Sequence, residues 1–140
     1  MITAFQHIGI GVHDIDRTYD FWKNYLQFSL TLNDHTGYDK EMVPILGDLY
    51  EMRMMMAMNV GGGGAIELVQ HTSTRPKEPL QKIEWGDLGI LEVGLKVTDL
   101  DVVYNNLSKR DVKFLMPIQT MPLSNGSTQR FTYLRRLLKN

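Results

Sequence analysis

Hydrophobic and polar positions alternate near the start of the chain. Ile8, Ile10 and Val12 point one way and His7, Gly9 and Gly11 the other, which is the two-residue period of a strand with one packed face and one nearly bare face. Asp14 follows as a helix N-cap, with Asp16 in the first turn at the positive end of the helix dipole. Ile15, Tyr19, Trp22 and Leu26 then recur at helical spacing as a buried stripe. Next the pattern predicts a strand from Phe28 to Leu32, a polar loop around Asn33 to Lys40, and a strand within the apolar run from Leu49 to Val60. In that run Met52, Met54, Met56 and Met58 are expected to fill the core against the helix, with Arg53, Met55 and Ala57 on the opposite face. Gly61 to Gly64 form a tight reversal into a strand over Ala65 to Gln70. There Ile66 and Leu68 go toward the helix, and Ala65, Glu67 and Val69 go to the side of His7.

The same pattern returns at an offset of 85 residues, where IGIGVHDIDRTY from position 8 lies over VGLKVTDLDVVY from position 93. Gly9, Val12, Asp14, Asp16 and Tyr19 meet Gly94, Val97, Asp99, Asp101 and Tyr104. In the second copy Asp99 caps a helix striped by Leu100, Val103 and Leu107 that ends around Lys109 to Asp111, before a strand from Val112 to Met116. Asn125-Gly126 then marks a hairpin turn leading into Arg130 to Leu134. The chain therefore reads as one α+β domain over 1–140 made of two tandem β-α-β-β-β units. These span about 4–70 and 88–135 and are joined by a linker at 71–87 that holds Pro76 and Pro79. The sheet is expected to be mixed and cupped, with both helices on its convex side.

Composition narrows what such a domain can do. With 140 residues, 43% hydrophobic and 22% charged, the chain can bury a genuine core and is not of disordered type. Fifteen basic against sixteen acidic residues leave a net charge of −1, so no overall positive field attracts nucleic acid or an anionic membrane. The absence of cysteine removes disulfides, thiolate nucleophiles and cysteine-based zinc sites together, and the sequence opens with neither a basic start nor an apolar signal core, which points to the cytoplasm. No apolar run is long enough to span a membrane.

Strand parity brings the candidate chemistry together. His7 shares its face with Gly9 and Gly11, which leave space, and Glu67 shares that side from its own strand. The repeat equivalent of His7 is Glu92, flanked on its face by Gly94 and Lys96, so a third metal-capable group is expected to face inward. Nitrogen and oxygen donors of this kind suit Zn²⁺, Ni²⁺, Mn²⁺, Fe²⁺ or Co²⁺ without selecting among them. Arg53 and Met55, expected on the face away from the helix, are candidate contacts for a small anionic substrate. His13 and His35 read as solvated, and His71 as a weak alternative ligand. The glycine quartet lacks the Lys-Ser/Thr of a phosphate loop and no helix pattern follows it, so it is a turn.

Three segments, QHIGIGVHDIDRTYDFW, AIELVQ and LGILEVGLKVTDLD, resemble the vicinal oxygen chelate superfamily, which comprises glyoxalase I, bleomycin-resistance proteins and extradiol dioxygenases. The resemblance covers nearly the whole chain and implies that fold. Metal-using members carry His on the first strand, Glu or Gln on the fourth, His on the fifth and Glu on the eighth. His7 and Glu67 match the first two of these, Glu92 stands where the family usually has His, and the fourth is missing. After RFTYLR the family continues through an Asp-Pro-Asp-Gly turn into a last strand, whereas this sequence runs through Arg136, Leu137, Leu138 and Lys139 to Asn140, so that strand is expected to be cut short. The exposed sheet edge this would leave predicts a homodimer. By resemblance the leading expectation is a metal-dependent lyase or isomerase acting on a small oxygenated metabolite through an enediolate-like state, with Glu67 or Glu92 moving the proton. A metal-free drug- or metabolite-binding protein is the alternative, and a ring-cleaving dioxygenase comes third.

Overall fold

The computed structural model describes residues 1–110 and 112–136. The second helix, expected to end around Lys109 to Asp111, ends at Ser108 with Lys109 as its C-cap, while Asp111 and, at 137–140, the end of the expected cut-short last strand lie outside the described residues. The fold is α+β with a mixed sheet, as the alternation required. It divides into two compact units, Met1–Lys82 and Ile83–Asn140.

The first unit is built from β1 (His7–Gly11), α1 (Ile15–Leu26), β2 (Leu30–Tyr38), a single 3-10 turn (Lys40–Met42), α2 (Val43–Leu46), β3 (Glu51–Met58) and β4 (Ala65–His71). Its four strands lie in the order β1-β4-β3-β2, with β1 parallel to β4 and the other pairs antiparallel. The parallel pairing requires a crossover, and α1 supplies it. That helix begins where expected, because the Asp14 carboxylate accepts the backbone N–H of Arg17 at 2.9 Å and satisfies one otherwise orphaned donor. It ends on Gln27, whose φ of 64° turns the chain out of the helix. Ile15, Phe28, Met55, Ala57, Ile66 and Leu68 form the core between α1 and the sheet, with Ile8, Ile10, Val12, Tyr19, Trp22 and Leu26 packed against it. Trp22 meets Phe28 edge-on, with ring centroids 5.0 Å apart.

Two readings of this unit need correction. The segment expected as a polar loop from Asn33 is strand as far as Tyr38, because β3 offers a partner along its whole length and a register shift between Thr31 and Asn33 absorbs the change of pairing. The face assignment on β3 is also reversed, since Met55 and Ala57 lie in the core beside α1. Every residue from Met52 to Met58 except Arg53 is apolar, so the run held one polar marker. That marker was misread, because Arg53 has partners on the helix side and can be placed there.

In the second unit α3 (Leu100–Ser108) is capped by Asp99, whose carboxylate accepts the backbone N–H of Val102 at 3.0 Å. This is the Asp14 to Arg17 contact moved by the repeat offset. β5 (Val112–Phe114) pairs with β8 (Leu134–Arg136), and β6 (Gln119–Pro122) pairs with β7 (Thr128–Phe131), all antiparallel. The two ladders belong to one hairpin. Between them the N–H of Leu115 donates to the carbonyl of Tyr133 at 2.8 Å, and the Thr132 hydroxyl donates to the carbonyl of Met116 at 2.7 Å. The turn is the expected one, with Gly126 at φ 81° and Asn125 Oδ1 accepting the N–H of Ser127 at 3.0 Å. The expected opening strand of this unit, the repeat of β1 at 93–97, is not formed. In the first unit β1 gains its ladder from β4, and the described residues of the second unit include no counterpart of β4. Without a partner, strand-type alternation leaves Val93, Leu95 and Val97 exposed.

Candidate functional site

The bare side of β1 and the matching side of β4 form the candidate site. Register fixes which residues share it, because directly paired residues project to one face. His7 pairs with Ala65, Gly9 with Glu67 and Gly11 with Val69, while Met56 of β3 also pairs with Glu67 and Met54 with Val69. His7, Glu67, Met54, Met56 and the two glycines therefore lie on one face, with Ile66 and Leu68 on the other in the core. One row apart on adjacent strands, His7 and Glu67 have Cα atoms about 8 Å apart by strand geometry, a span that side chains converging on one ion can bridge. Each is partly exposed.

The glycines shape the floor. The Glu67 carboxylate leans over Gly9, where an added Cβ would sit 3.8 Å from Oε1. Over Gly11 nothing lies within 4 Å of such an atom. At His7 the Nδ1 atom is hydrogen-bonded to the side-chain oxygen of Gln6, which leaves Nε2 as the donor for a ligand. One imidazole nitrogen and one carboxylate on a common face fit two positions of a divalent-cation sphere. Among the described residues no three His, Asp or Glu side chains converge closely enough to hold an ion by themselves.

The other expected site residues lie elsewhere. Met55 is 5% exposed in the core. Arg53 turns to the helix side, where Nη1 donates to both carboxylate oxygens of Asp16 at 2.9 Å, and Nε and Nη2 donate to Asp34, each at 2.9 Å. This double fork holds the guanidinium pKa above its ordinary value and pulls the Asp34 carboxyl below its own, mainly through the hydrogen bond. Arg53 thus ties the first turn of α1 to the β2–β3 hairpin, and neither it nor Met55 stands on the face of His7. Glu92 belongs to the second unit, where it accepts a hydrogen bond from the Tyr133 hydroxyl and so raises the Tyr133 pKa. His13 donates to Glu78 across 2.7 Å at the surface.

Two features of this face escaped the sequence reading. Gln6 touches the candidate ligand His7 and was signalled only by the Gln-His dipeptide. Met54 and Met56 belong beside Glu67, which only the β3 register reveals. His71 does share the face, since β4 extends through it, and its ring meets Tyr50 edge-on at 5.4 Å. Four residues of strand, about 13 Å, separate it from Glu67, too far for the two to share one ion.

Comparison with known proteins agrees with this fold. Crystal structures of a glyoxalase family protein from Bacillus cereus and of a member of the glyoxalase/bleomycin resistance protein/dioxygenase superfamily from Sphaerobacter thermophilus share the fold. The first has a TM-score of 0.74 at 16% identity over 97% of this chain and 88% of that one. The second has a TM-score of 0.55 at 21% identity over 95% of this chain and 88% of that one. No curated protein matches the chain. The sequence model of the Glyoxalase/Bleomycin resistance protein/Dioxygenase superfamily matches residues 6–131. With a strand histidine, a strand glutamate and a capped crossover helix all inside that span, the chain belongs to this superfamily.

Proposed function

We propose that the protein is a metal-dependent lyase or isomerase that moves a proton on a small oxygenated substrate. The observation that carries this reading is the placement of His7 and Glu67 on one face of paired strands, over a floor of glycines. A bound divalent cation would act as a Lewis acid toward a pair of substrate oxygens. His7 would hold the cation through Nε2. Glu67 would hold it or, released from it, take a proton from one carbon and return it to the next, as a carboxylate within reach of both can do. Gly9 and Gly11 keep the floor clear for the substrate, and Met54 and Met56 offer it a soft apolar wall.

The test uses protein loaded in turn with Zn²⁺, Ni²⁺, Mn²⁺, Fe²⁺ and Co²⁺ in deuterated water, supplied with small 2-hydroxycarbonyl compounds and thiol adducts of 2-oxoaldehydes. Deuterium should enter the carbon beside the carbonyl, and Glu67→Gln should abolish this while the protein stays folded. Exchange at the background rate with every metal and substrate would contradict the proposal. A metal-free binding protein is the second reading, supported by the lack of three converging donors among the described residues. It calls for tight ligand binding that a chelator leaves unchanged.

Assembly and location belong to the same proposal. Leu88, Ile90, Val93 and Leu95 expose apolar side chains on a segment without a ladder, which supports pairing between two copies in a homodimer. A cysteine-free chain suits the reducing cytoplasm. Among the described residues no helix is long and apolar enough to cross a membrane.

A further inference from the structure

His7 has two ring nitrogens, and only one can face an ion. In a neutral imidazole one nitrogen carries the proton and the other the lone pair, and whichever acceptor meets the first decides which nitrogen can ligate. Here the acceptor is local. The Gln6 side-chain oxygen is hydrogen-bonded to Nδ1. An amide oxygen can only accept, so Nδ1 carries the proton and Nε2 carries the lone pair.

Gln6 is fixed well enough to do this. Its backbone carbonyl accepts the N–H of Ala65 at 2.8 Å, which joins it to the start of the β1–β4 ladder beside the His7 to Ala65 pair. The preceding residue is also held, for the Phe5 ring packs so closely on Gly64 that a Cβ there would lie 2.9 Å from Phe5 Cδ1. The backbone on which the Gln6 side chain turns is thus pinned on both sides.

We propose that Gln6 is a positioning residue that fixes His7 in its Nδ1-protonated tautomer and so presents Nε2 to a divalent cation on the glycine-floored face. This rests on the reading that His7 binds metal. Gln6 itself touches neither ion nor substrate; it acts through the ring. Outer partners of ligating histidines are commonly worth 10- to 100-fold in metal affinity, and the lower end of that range fits a partly exposed pair.

The experiment compares wild-type protein with Gln6→Leu, Gln6→Glu and His7→Ala. Long-range ¹H–¹⁵N correlation on the metal-free protein reads the His7 tautomer, and calorimetric titration with Zn²⁺ or Co²⁺ reads affinity. Wild type should show the Nδ1–H form. Gln6→Leu should move the population toward Nε2–H and weaken metal binding about tenfold, whereas Gln6→Glu, which keeps an acceptor, should retain the tautomer and most of the affinity. An Nε2–H tautomer in wild type, or a Gln6→Leu protein with unchanged tautomer and affinity, would overturn the role of Gln6 alone. Unchanged affinity in His7→Ala would overturn the metal reading on which that role depends, so the two failures are separable.

Discussion

At the scale of single residues, Arg53 on the helix side of the sheet is only 23% exposed and grips two carboxylates at once. Replacement by Met keeps the aliphatic stem but leaves Asp16 and Asp34 without their cation, so Arg53→Met should lower the denaturant midpoint. The effect is pH-dependent, and its sign follows from Asp34. Its folded-state pKa is depressed, so its contribution is present above the unfolded pKa of about 3.9 and is lost as pH falls through the lower folded value. Wild type and Arg53→Met should therefore differ most near neutral pH and converge below about pH 4 in urea titrations. In the core, Leu68 is 0% exposed, and Leu68→Ala should cost about 2–5 kcal/mol by the same measurement. The side chain of His7 was placed correctly from its alternation with Ile8 and Ile10. That of Arg53 was not, because a charged residue in an apolar run gives no sign that acids from α1 and β2 will meet it on the buried side.

Elements whose ends are set by local chemistry were legible. An aspartate caps each helix through the N–H three residues on, and the two contacts, at 2.9 and 3.0 Å, repeat at the offset found in the sequence. Asp14→Ala and Asp99→Ala should each destabilise their unit by about 1 kcal/mol, seen as earlier loss of helical circular dichroism on heating, and Asn at either position should recover most of it. The repeat reaches further than the caps. Asp16 meets Arg53 of β3, and Asp101, at the equivalent place in α3, meets Arg130 of β7 with contacts of 2.6 and 2.8 Å. Both arginines stand on the second arm of a hairpin that follows a helix. What could not be read was pairing, since a strand exists only with its neighbour: residues 93–97 copy the alternation of β1 but find no ladder among the described residues, while Asn33 to Tyr38 look like loop and are strand because β3 lies alongside.

At the scale of the whole molecule, superfamily membership was legible because the strand histidine, the capped helix and the strand glutamate lie close together in the first unit's pattern of elements. The proposed homodimer is expected to appear as twice the chain mass in sedimentation at micromolar concentration, and Val93→Lys with Leu95→Lys should shift it to monomer without unfolding α3. A wild-type protein that sediments as monomer throughout would remove that part of the account. The central claim is that His7 and Glu67 together hold a divalent cation. Its most direct test is calorimetric titration of chelator-treated protein with Zn²⁺ or Co²⁺, comparing wild type with His7→Ala and Glu67→Gln. One ion per chain in wild type, with affinity reduced at least tenfold in both variants while their far-ultraviolet circular dichroism is unchanged, is the expected result. Binding of equal affinity in all three proteins, or none in wild type, would contradict it.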